Sequence, residues 1–301
     1  MKVEPGYISL FKTGELKNRV ECLDKLLTNC AVCPHHCGVD RFRGERGFCG
    51  GGYLPVVASY GPHFGEERVL VGEHGSGTIF FSHCTLKCVF CQNCEISQYG
   101  EGEEVTPQDL AEIMLILQRK GCHNINLVSP THFVPAIVEA VLIAAREGLM
   151  IPLVYNTSGY ERVETLRLLE GIVDIYMPDI KFGDDEIGKK YAKAPGYFEI
   201  TKKAVLEMER QVGGLKLDEK GIAFRGVLIR HLILPDNLAK TDKVLEFIAS
   251  ELSKDVAVNL MDQYWPAHKA YSFSELSRRI TGEEYHYWLS FGKKLKLNLI
   301  K

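Results

Sequence analysis

Thr78-Ile79-Phe80-Phe81-Ser82-His83-Cys84-Thr85-Leu86-Lys87-Cys88-Val89-Phe90-Cys91 joins two signals in one stretch. A short apolar strand runs to Phe81, and the loop after it carries cysteines at C-x3-C-x2-C spacing. The strand is the first of a series. Downstream, Thr106-Pro107-Gln108-Asp109 opens a helix with an N-cap residue, a proline at N1 and an acid in the first turn, and the pattern runs to Lys120. Further strands are expected over residues 125–128, 152–155, 173–177, 227–234 and 256–261. Helices are expected over 133–147, 163–169, 184–192, 198–212 and 238–252. These make six β/α steps. Short apolar strands, each followed by a helix, imply an α/β chain with a parallel sheet buried on both faces. Periodicity alone leaves two forms open, a doubly wound sheet or a barrel.

Upstream of the strand, Leu16, Val20, Leu23, Leu26 and Leu27 fall at helical spacing, so a helix is expected over residues 15–27. Residues 53–78 are glycine-rich with short apolar runs at 55–58 and 69–71, which predicts a small hairpin of irregular strands. Composition therefore divides the chain into an N-terminal cysteine-rich appendage (1–75), a core (76–265) and a C-terminal helical extension (266–301). In that extension Tyr285, Tyr287, Trp288 and Leu289 are expected to pack.

The chain has 301 residues, a formal net charge of −3 and 25% charged residues, which gives no basic field for nucleic acid or an anionic membrane. The amino terminus lacks a signal pattern and no long apolar run occurs, so a cytoplasmic protein is expected. Of ten cysteines, eight form two groups: Cys30, Cys33, Cys37 and Cys49, then Cys84, Cys88, Cys91 and Cys94. In a reducing compartment such grouping reads as metal ligation rather than disulfides. The isolated Cys22 and Cys122 are expected to be small buried apolar residues.

Thiolates are soft ligands that suit zinc or an iron–sulfur cluster, and the C-terminal ends of parallel strands are where β/α folds place their chemistry. Three thiolates on a [4Fe-4S] cube leave one iron open, and an amino acid with a free amine and carboxylate can chelate it. Two other readings use Cys94. Cys88-x2-Cys91-x2-Cys94 matches part of a ferredoxin run, although no Cys-Pro follows, and Cys84, Cys88, Cys91 and Cys94 could form a cramped four-thiolate zinc site. Either would make the chain a non-enzymatic electron-transfer or zinc-binding protein.

The C-x3-C-x2-C motif with Phe90 before its last cysteine resembles the signature of the radical S-adenosylmethionine (SAM) superfamily. Cys91-Gln92-Asn93 with Ile96-Ser97, preceded by a cysteine-rich segment, resembles the group similar to pyruvate formate-lyase-activating enzyme, the PflX-like proteins. The resemblance spans residues 30 to 265 or so. It implies a partial (β/α)6 TIM-like barrel in which Cys84, Cys88 and Cys91 hold a [4Fe-4S] cluster that cleaves SAM to a 5′-deoxyadenosyl radical, with Phe90 and Asn93 beside the cofactors. It also implies a reducing donor such as flavodoxin or ferredoxin, and a substrate that is either a glycyl radical enzyme or a small molecule.

Strand ends supply the expected SAM pocket. Ser129 and Thr131 follow the second strand, where the family usually has a Gly-Gly-Glu-like element; that glutamate is missing here. Asn156-Thr157-Ser158-Gly159 and Met177-Pro178-Asp179-Ile180-Lys181 resemble the family's Asp-Thr-Asn-Gly and Met-Leu-Asp-Leu-Lys-like strings. Asn156 stands for the first aspartate, so of two carboxylates that would serve a cation site only Asp179 remains. By alternation Asp179 and Lys181 share a side of a strand and form a salt bridge if no ligand intervenes. Arg230 lies inside the apolar run 228–235 and requires an anion, for which the SAM carboxylate is suited. His231 points the opposite way and reads as a satisfied histidine. Asn259 and Asp262-Gln263-Tyr264 are candidates for the adenosine or substrate side.

In the first group, Cys30-x2-Cys33-x3-Cys37-x11-Cys49 offers four thiolates, with Pro34 shaping a knuckle and His35-His36 in reserve. Zinc or a second Fe-S cluster fits that spacing. The charges at Arg41, Arg43, Glu45 and Arg46 read as a solvated turn or a contact for an acidic partner.

Overall fold

The computed structural model describes residues 4–300. The strands are β1 (Val56–His63), β2 (Ser76–Phe81), β3 (Glu103–Glu104), β4 (Ile125–Val128), β5 (Leu153–Thr157), β6 (Ile175–Pro178), β7 (Lys216–Leu217), β8 (Ala223–Leu232), β9 (Ala257–Met261) and β10 (Asn298–Leu299). Helices α1 (Gly6–Thr13), α2 (Glu15–Asp24) and α3 (Arg68–Val71) precede β2, and α4 (Cys94–Ser97) follows the cysteine loop. Then come α5 (Pro107–Arg119), α6 (Val134–Arg146), α7 (Val163–Leu168), α8 (Asp185–Ala192), α9 (Tyr197–Val212), α10 (Thr241–Glu251) and α11 (Gly282–Lys294). At α5 the expected cap forms in full: Asp109 N–H donates to Thr106 Oγ1 at 3.1 Å, and Thr106 N–H donates to Asp109 Oδ2 at 2.9 Å.

Strand order settles the question periodicity left open. The sheet reads β10-β9-β8-β6-β5-β4-β2-β1-β3, and β2, β4, β5, β6, β8 and β9 are parallel neighbours in sequence order. A doubly wound sheet reverses direction at a switch point, and this one does not. With right-handed crossovers, a monotonic order puts every connecting helix on the same side. The sheet curls with helices outside, giving a partial (β/α)6 barrel.

Alternation along the strands separates the two faces. Ile125, Leu127, Leu153, Tyr155, Val227, Ile229 and Val258 join the core shared with the helices, whereas Val154, Ile175, Met177, Leu228 and Ala257 form a smaller inner cluster with Leu70 of α3. The short helix α3 is a floor plug. Residues 69–71 were expected to be a strand; they are helical because Leu70, fully buried, fills the barrel interior. Strand β1 runs antiparallel to β2 and extends the core sheet, so the hairpin expected within residues 53–78 is replaced by pairing with the first core strand.

Outside the barrel, α1 and α2 pack on α6. Tyr7 is fully buried and donates its hydroxyl to Ile151 O at 2.9 Å, and Gly6 N–H donates to Asp174 Oδ1 at 2.9 Å. Cys122 is buried as expected, but Cys22 is exposed, because it lies on the outer side of α2. In α11, Trp288 is buried and Tyr287 is exposed, so only part of that aromatic run packs. Behind α11 the chain adds β10 beside β9, an element sequence patterning did not indicate.

Candidate metal and cofactor site

The cysteine loop leaves the C-terminal end of β2 and is held on both sides. Lys87 N–H donates to Ala192 O and Val89 N–H to Tyr191 O, each at 2.8 Å, while Lys269 N–H donates to Val89 O at 2.8 Å. Phe90 lies beneath the loop, edge-on to Phe182 and Tyr264 at 6.0 and 5.9 Å between centroids. It is a packing anchor for the loop. Asn93 is exposed at the start of α4, and Cys94 is buried there.

Around the sulfurs, Leu86 N–H donates to Cys84 Sγ at 3.3 Å, and Cys91 Sγ lies 3.0 Å from Ser97 Oγ. Burial, first of all, pushes the Cys84 and Cys88 thiols above their ordinary range, and the neighbouring sulfurs push the same way, against Lys181. Cys84 and Cys88 become thiolates together only against a positive centre. The donor chemistry fits an iron–sulfur cluster, although among the described residues no three cysteine, histidine or carboxylate side chains stand closed up as a metal-ion site.

Beside the loop, an ionic network crosses the barrel interior. Asp179, Arg230 and Asn259 stand at one level of β6, β8 and β9. Arg230 donates to Asp179 Oδ1 at 2.8 Å, Asn156 Oδ1 at 2.7 Å and Glu66 Oε2 at 3.1 Å. Lys181 Nζ is 2.6 Å from Asp179 Oδ2, so the salt bridge foreseen by alternation forms. Burial raises the Asp179 carboxyl, but Arg230 and Lys181 outweigh it and hold the group below the usual carboxylate range. Burial likewise opposes the Lys181 ammonium, and Asp179 followed by Cys88 keeps it charged. Arg230 thus meets protein acceptors at all three of its nitrogens. Two of the interior groups, Glu66 and Glu67, come from the segment between β1 and α3; Glu67 accepts from Asn259 Nδ2 at 2.9 Å. Sequence reading missed both, since nothing local ties them to strands far downstream.

Thr131 and Thr157 are brought together, though not by facing the interior. Their hydroxyls both bond to the buried carboxyl of Glu161, Thr131 Oγ1 at 2.5 Å, and Tyr155 Oη lies 3.4 Å from its other oxygen. Thr157 shares the outward side of β5 with Tyr155. Ser129, just past β4, has φ +57°, a left-handed conformation uncommon for a residue with a side chain, and its N–H donates to Asn156 O at 2.9 Å. His231 is buried, its Nδ1–H donating to Ile180 O at 2.5 Å while Nε2 accepts from Thr241 Oγ1 at 2.9 Å. Tyr264 donates to Leu276 O at 2.7 Å within the core.

The first cysteine group forms a second constellation on the same rim. Cys30, Cys33 and Cys49 are buried; burial first of all pushes the Cys33 and Cys49 thiols up, and the neighbouring sulfurs of the group push the same way. Phe48 N–H donates to Cys37 Sγ at 3.2 Å, Gly51 N–H to Cys49 Sγ at 3.3 Å, and the buried Arg41 to the same sulfur at 3.5 Å. A side chain at Gly47 would put its Cβ 2.7 Å from Cys37 Sγ, so only glycine fits there. From the barrel, Arg162 donates to Ala31 O and Thr165 to Val32 O, both at 2.8 Å. Arg41 also donates to His132 O at 2.6 Å, and His132 Nε2 to Ser82 O at 2.9 Å. Arg43 and Arg46 pair with Asp40 and Glu104 on the surface, as a solvated turn does, but Arg41, expected in the same turn, is buried and turned inward to His132 O and Cys49 Sγ.

The family model for the Radical SAM superfamily matches residues 78–248, the span from β2 into α10. The chain belongs to the radical SAM superfamily. It is 36% identical over 303 residues to an uncharacterised protein of Methanocaldococcus jannaschii, covering 96% of this chain and 81% of that one. A second uncharacterised protein of the same organism is 28% identical over 272 residues, covering 83% and 74%. Among solved structures, TYW1 with a lysine-pyruvate adduct bound has a TM-score of 0.45 at 11% identity, over 72% of this chain and 73% of that one. Native anSMEcpe with bound AdoMet and Kp18Cys peptide has a TM-score of 0.48 at 10% identity, over 72% and 60%. Radical SAM proteins use a [4Fe-4S] cluster, SAM and a one-electron reductant, and the C-x3-C-x2-C loop of this radical SAM chain falls inside the matched span. Among the described residues no helix is long and apolar enough to cross a membrane.

Proposed function

We propose that this radical SAM protein is an enzyme in which Cys84, Cys88 and Cys91 hold a [4Fe-4S] cluster with one iron left for the amine and carboxylate of SAM. The observation that carries the reading is the set of three neighbouring thiols on the β2 loop, two pushed up by burial, with the Lys181 ammonium among the charges acting on them. When bound and given one electron, the cluster supplies the reductive cleavage of SAM to methionine and a 5′-deoxyadenosyl radical, which takes a hydrogen atom from the substrate.

The chain's own residues position that chemistry. Ser129, Asn156, Asp179 and Arg230 border the expected SAM pocket, with Arg230 oriented by Glu66 and Asp179. Thr131 and Thr157 act through Glu161, which ties the ends of β4 and β5 together. Phe90 fixes the loop from below and Asn93 borders it at α4. Cys30, Cys33, Cys37 and Cys49 hold a second metal, zinc or an Fe-S cluster; the N–H groups and the arginine aimed at their sulfurs favour a negatively charged four-thiolate centre. The electron comes from a flavodoxin- or ferredoxin-like donor. For the substrate, the sequence resemblance favours a glycine of a partner enzyme. Exposed Tyr99, edge-on to His268, lies just after the cysteine loop and offers apolar contact to a protein substrate.

Anaerobic reconstitution with iron and sulfide, then electron paramagnetic resonance of the dithionite-reduced protein with and without SAM, tests the assignment, together with an assay for 5′-deoxyadenosine. A SAM-perturbed [4Fe-4S]⁺ signal and 5′-deoxyadenosine, both lost in Cys84→Ala, Cys88→Ala and Cys91→Ala, are expected. A cluster indifferent to SAM, or zinc alone, would leave an electron carrier or a structural metalloprotein.

A further inference from the structure

The two cysteine groups touch through one peptide unit. His35, between Cys33 and Cys37, places its Nε2 2.7 Å from Thr85 O, and because a carbonyl oxygen can only accept, Nε2 carries the proton. The nitrogen of that same peptide is Leu86 N, whose N–H donates to Cys84 Sγ at 3.3 Å. A trans peptide is planar with its C=O and N–H pointing in opposite directions. Holding the oxygen therefore aims the hydrogen.

The ring of His35 is itself held from the first cysteine group. Phe48 stacks on it at 3.8 Å between centroids, Tyr160 meets its edge at 5.4 Å, and the N–H of Phe48 donates to Cys37 Sγ. A second tie runs in parallel: Lys87 Nζ donates to Cys49 O at 3.3 Å. Contacts thus lead from a sulfur of one centre to a sulfur of the other: Cys37, Phe48, His35, the Thr85–Leu86 peptide, Cys84.

We propose that His35 is a positioning residue that couples the two centres, aiming the Leu86 N–H at the Cys84 sulfur and so raising the reduction potential of the cluster held by Cys84, Cys88 and Cys91. The inference rests on the cluster assignment above. Hydrogen bonds to ligand sulfurs favour the more negative, reduced cluster, and outer partners that orient such donors are worth a large factor.

The test is an EPR-monitored redox titration of the full-length, anaerobically reconstituted protein, with iron, zinc and sulfide content measured alongside. His35→Ala is expected to keep the iron of the SAM cluster but to lower the ratio of reduced to oxidised cluster at a fixed potential by roughly tenfold. His35→Gln, whose amide N–H can take over the bond to Thr85 O, should restore most of it. Cys37→Ser, which dismantles the first centre, should shift the potential in the same direction. Phe48→Ala removes the stacking surface while leaving each N–H in place and should give a smaller shift of the same sign, so the test survives if His35→Ala does not fold. A wild-type potential in either His35→Ala or Phe48→Ala, or a glutamine variant no better than alanine, overturns the coupling. A wild-type protein with no SAM-sensitive [4Fe-4S]⁺ signal overturns instead the assignment beneath it, and does so before any variant is compared.

Discussion

Glu161 binds its proton more tightly in the folded protein than in the unfolded chain. Burial lifts its carboxyl from the ordinary 4.5 to about 7, against three hydroxyl donors that pull it down. Below the unfolded value both states hold the proton and the fold is at full strength. As pH rises through 4.5 toward 7 the unfolded chain ionises freely while the folded one resists, so stability is lost across that window, at about 1.4 kcal/mol per pH unit of the shift. Urea unfolding between pH 5 and pH 8 should show the wild type losing roughly 2–3 kcal/mol more than Glu161→Gln. Equal pH dependence in the two proteins would refute it. The residue was legible only in part. Period-2 alternation puts Thr157 on the side of Tyr155, behind the strand, and that signal could have turned the hydroxyl away from the pocket in advance. The need of Arg230 for an anion was readable from its apolar strand, but its Glu66 partner lies 164 residues away and left no local trace.

Elements with a strong period were read to within a few residues, because burial on one or both faces leaves its mark on every second or every third and fourth position. Those that failed were short. In Val69-Leu70-Val71 the β-branched composition favours a strand, but one leucine filling the barrel floor decides the matter, as tertiary context commonly does. If that account is right, Leu70→Ala leaves a void facing Val154, Ile175 and Leu228 and should cost about 3 kcal/mol in urea unfolding. A loss below roughly 1 kcal/mol would mean the floor collapses around the missing side chain. The cysteine loop was legible for the opposite reason: its spacing is local, and three ligands within eight residues need no distant partner to be recognised.

For the molecule as a whole, six β/α steps were visible in the pattern, while the choice of barrel over doubly wound sheet depended on strand order, which no periodicity encodes. The divisions at residues 75 and 265 follow composition, and packing crosses the first of them through β1, Glu66 and the helices α1 and α2. Removing residues 1–27 uncovers the outer side of α6 and breaks the Tyr7 and Gly6 bonds to the barrel. The shortened chain is expected to aggregate or to lose its cooperative thermal transition by circular dichroism. A transition at the wild-type temperature would mark that segment as dispensable to the barrel.

The clasp on Ala31 and Val32 has a consequence for how the protein is made. Arg162 and Thr165, which hold those carbonyls, are synthesised 131 and 133 residues later. Cys30 and Cys33 therefore leave the ribosome well before the surface that shapes their loop exists. On the proposal that Cys30, Cys33, Cys37 and Cys49 hold a metal, its loading belongs to the end of maturation rather than its start, after the barrel has wound as far as α7. On the same proposal, a chain that meets no metal still completes the surface that shapes the loop, because the bonds to Ala31 and Val32 come from the barrel and not from the thiols.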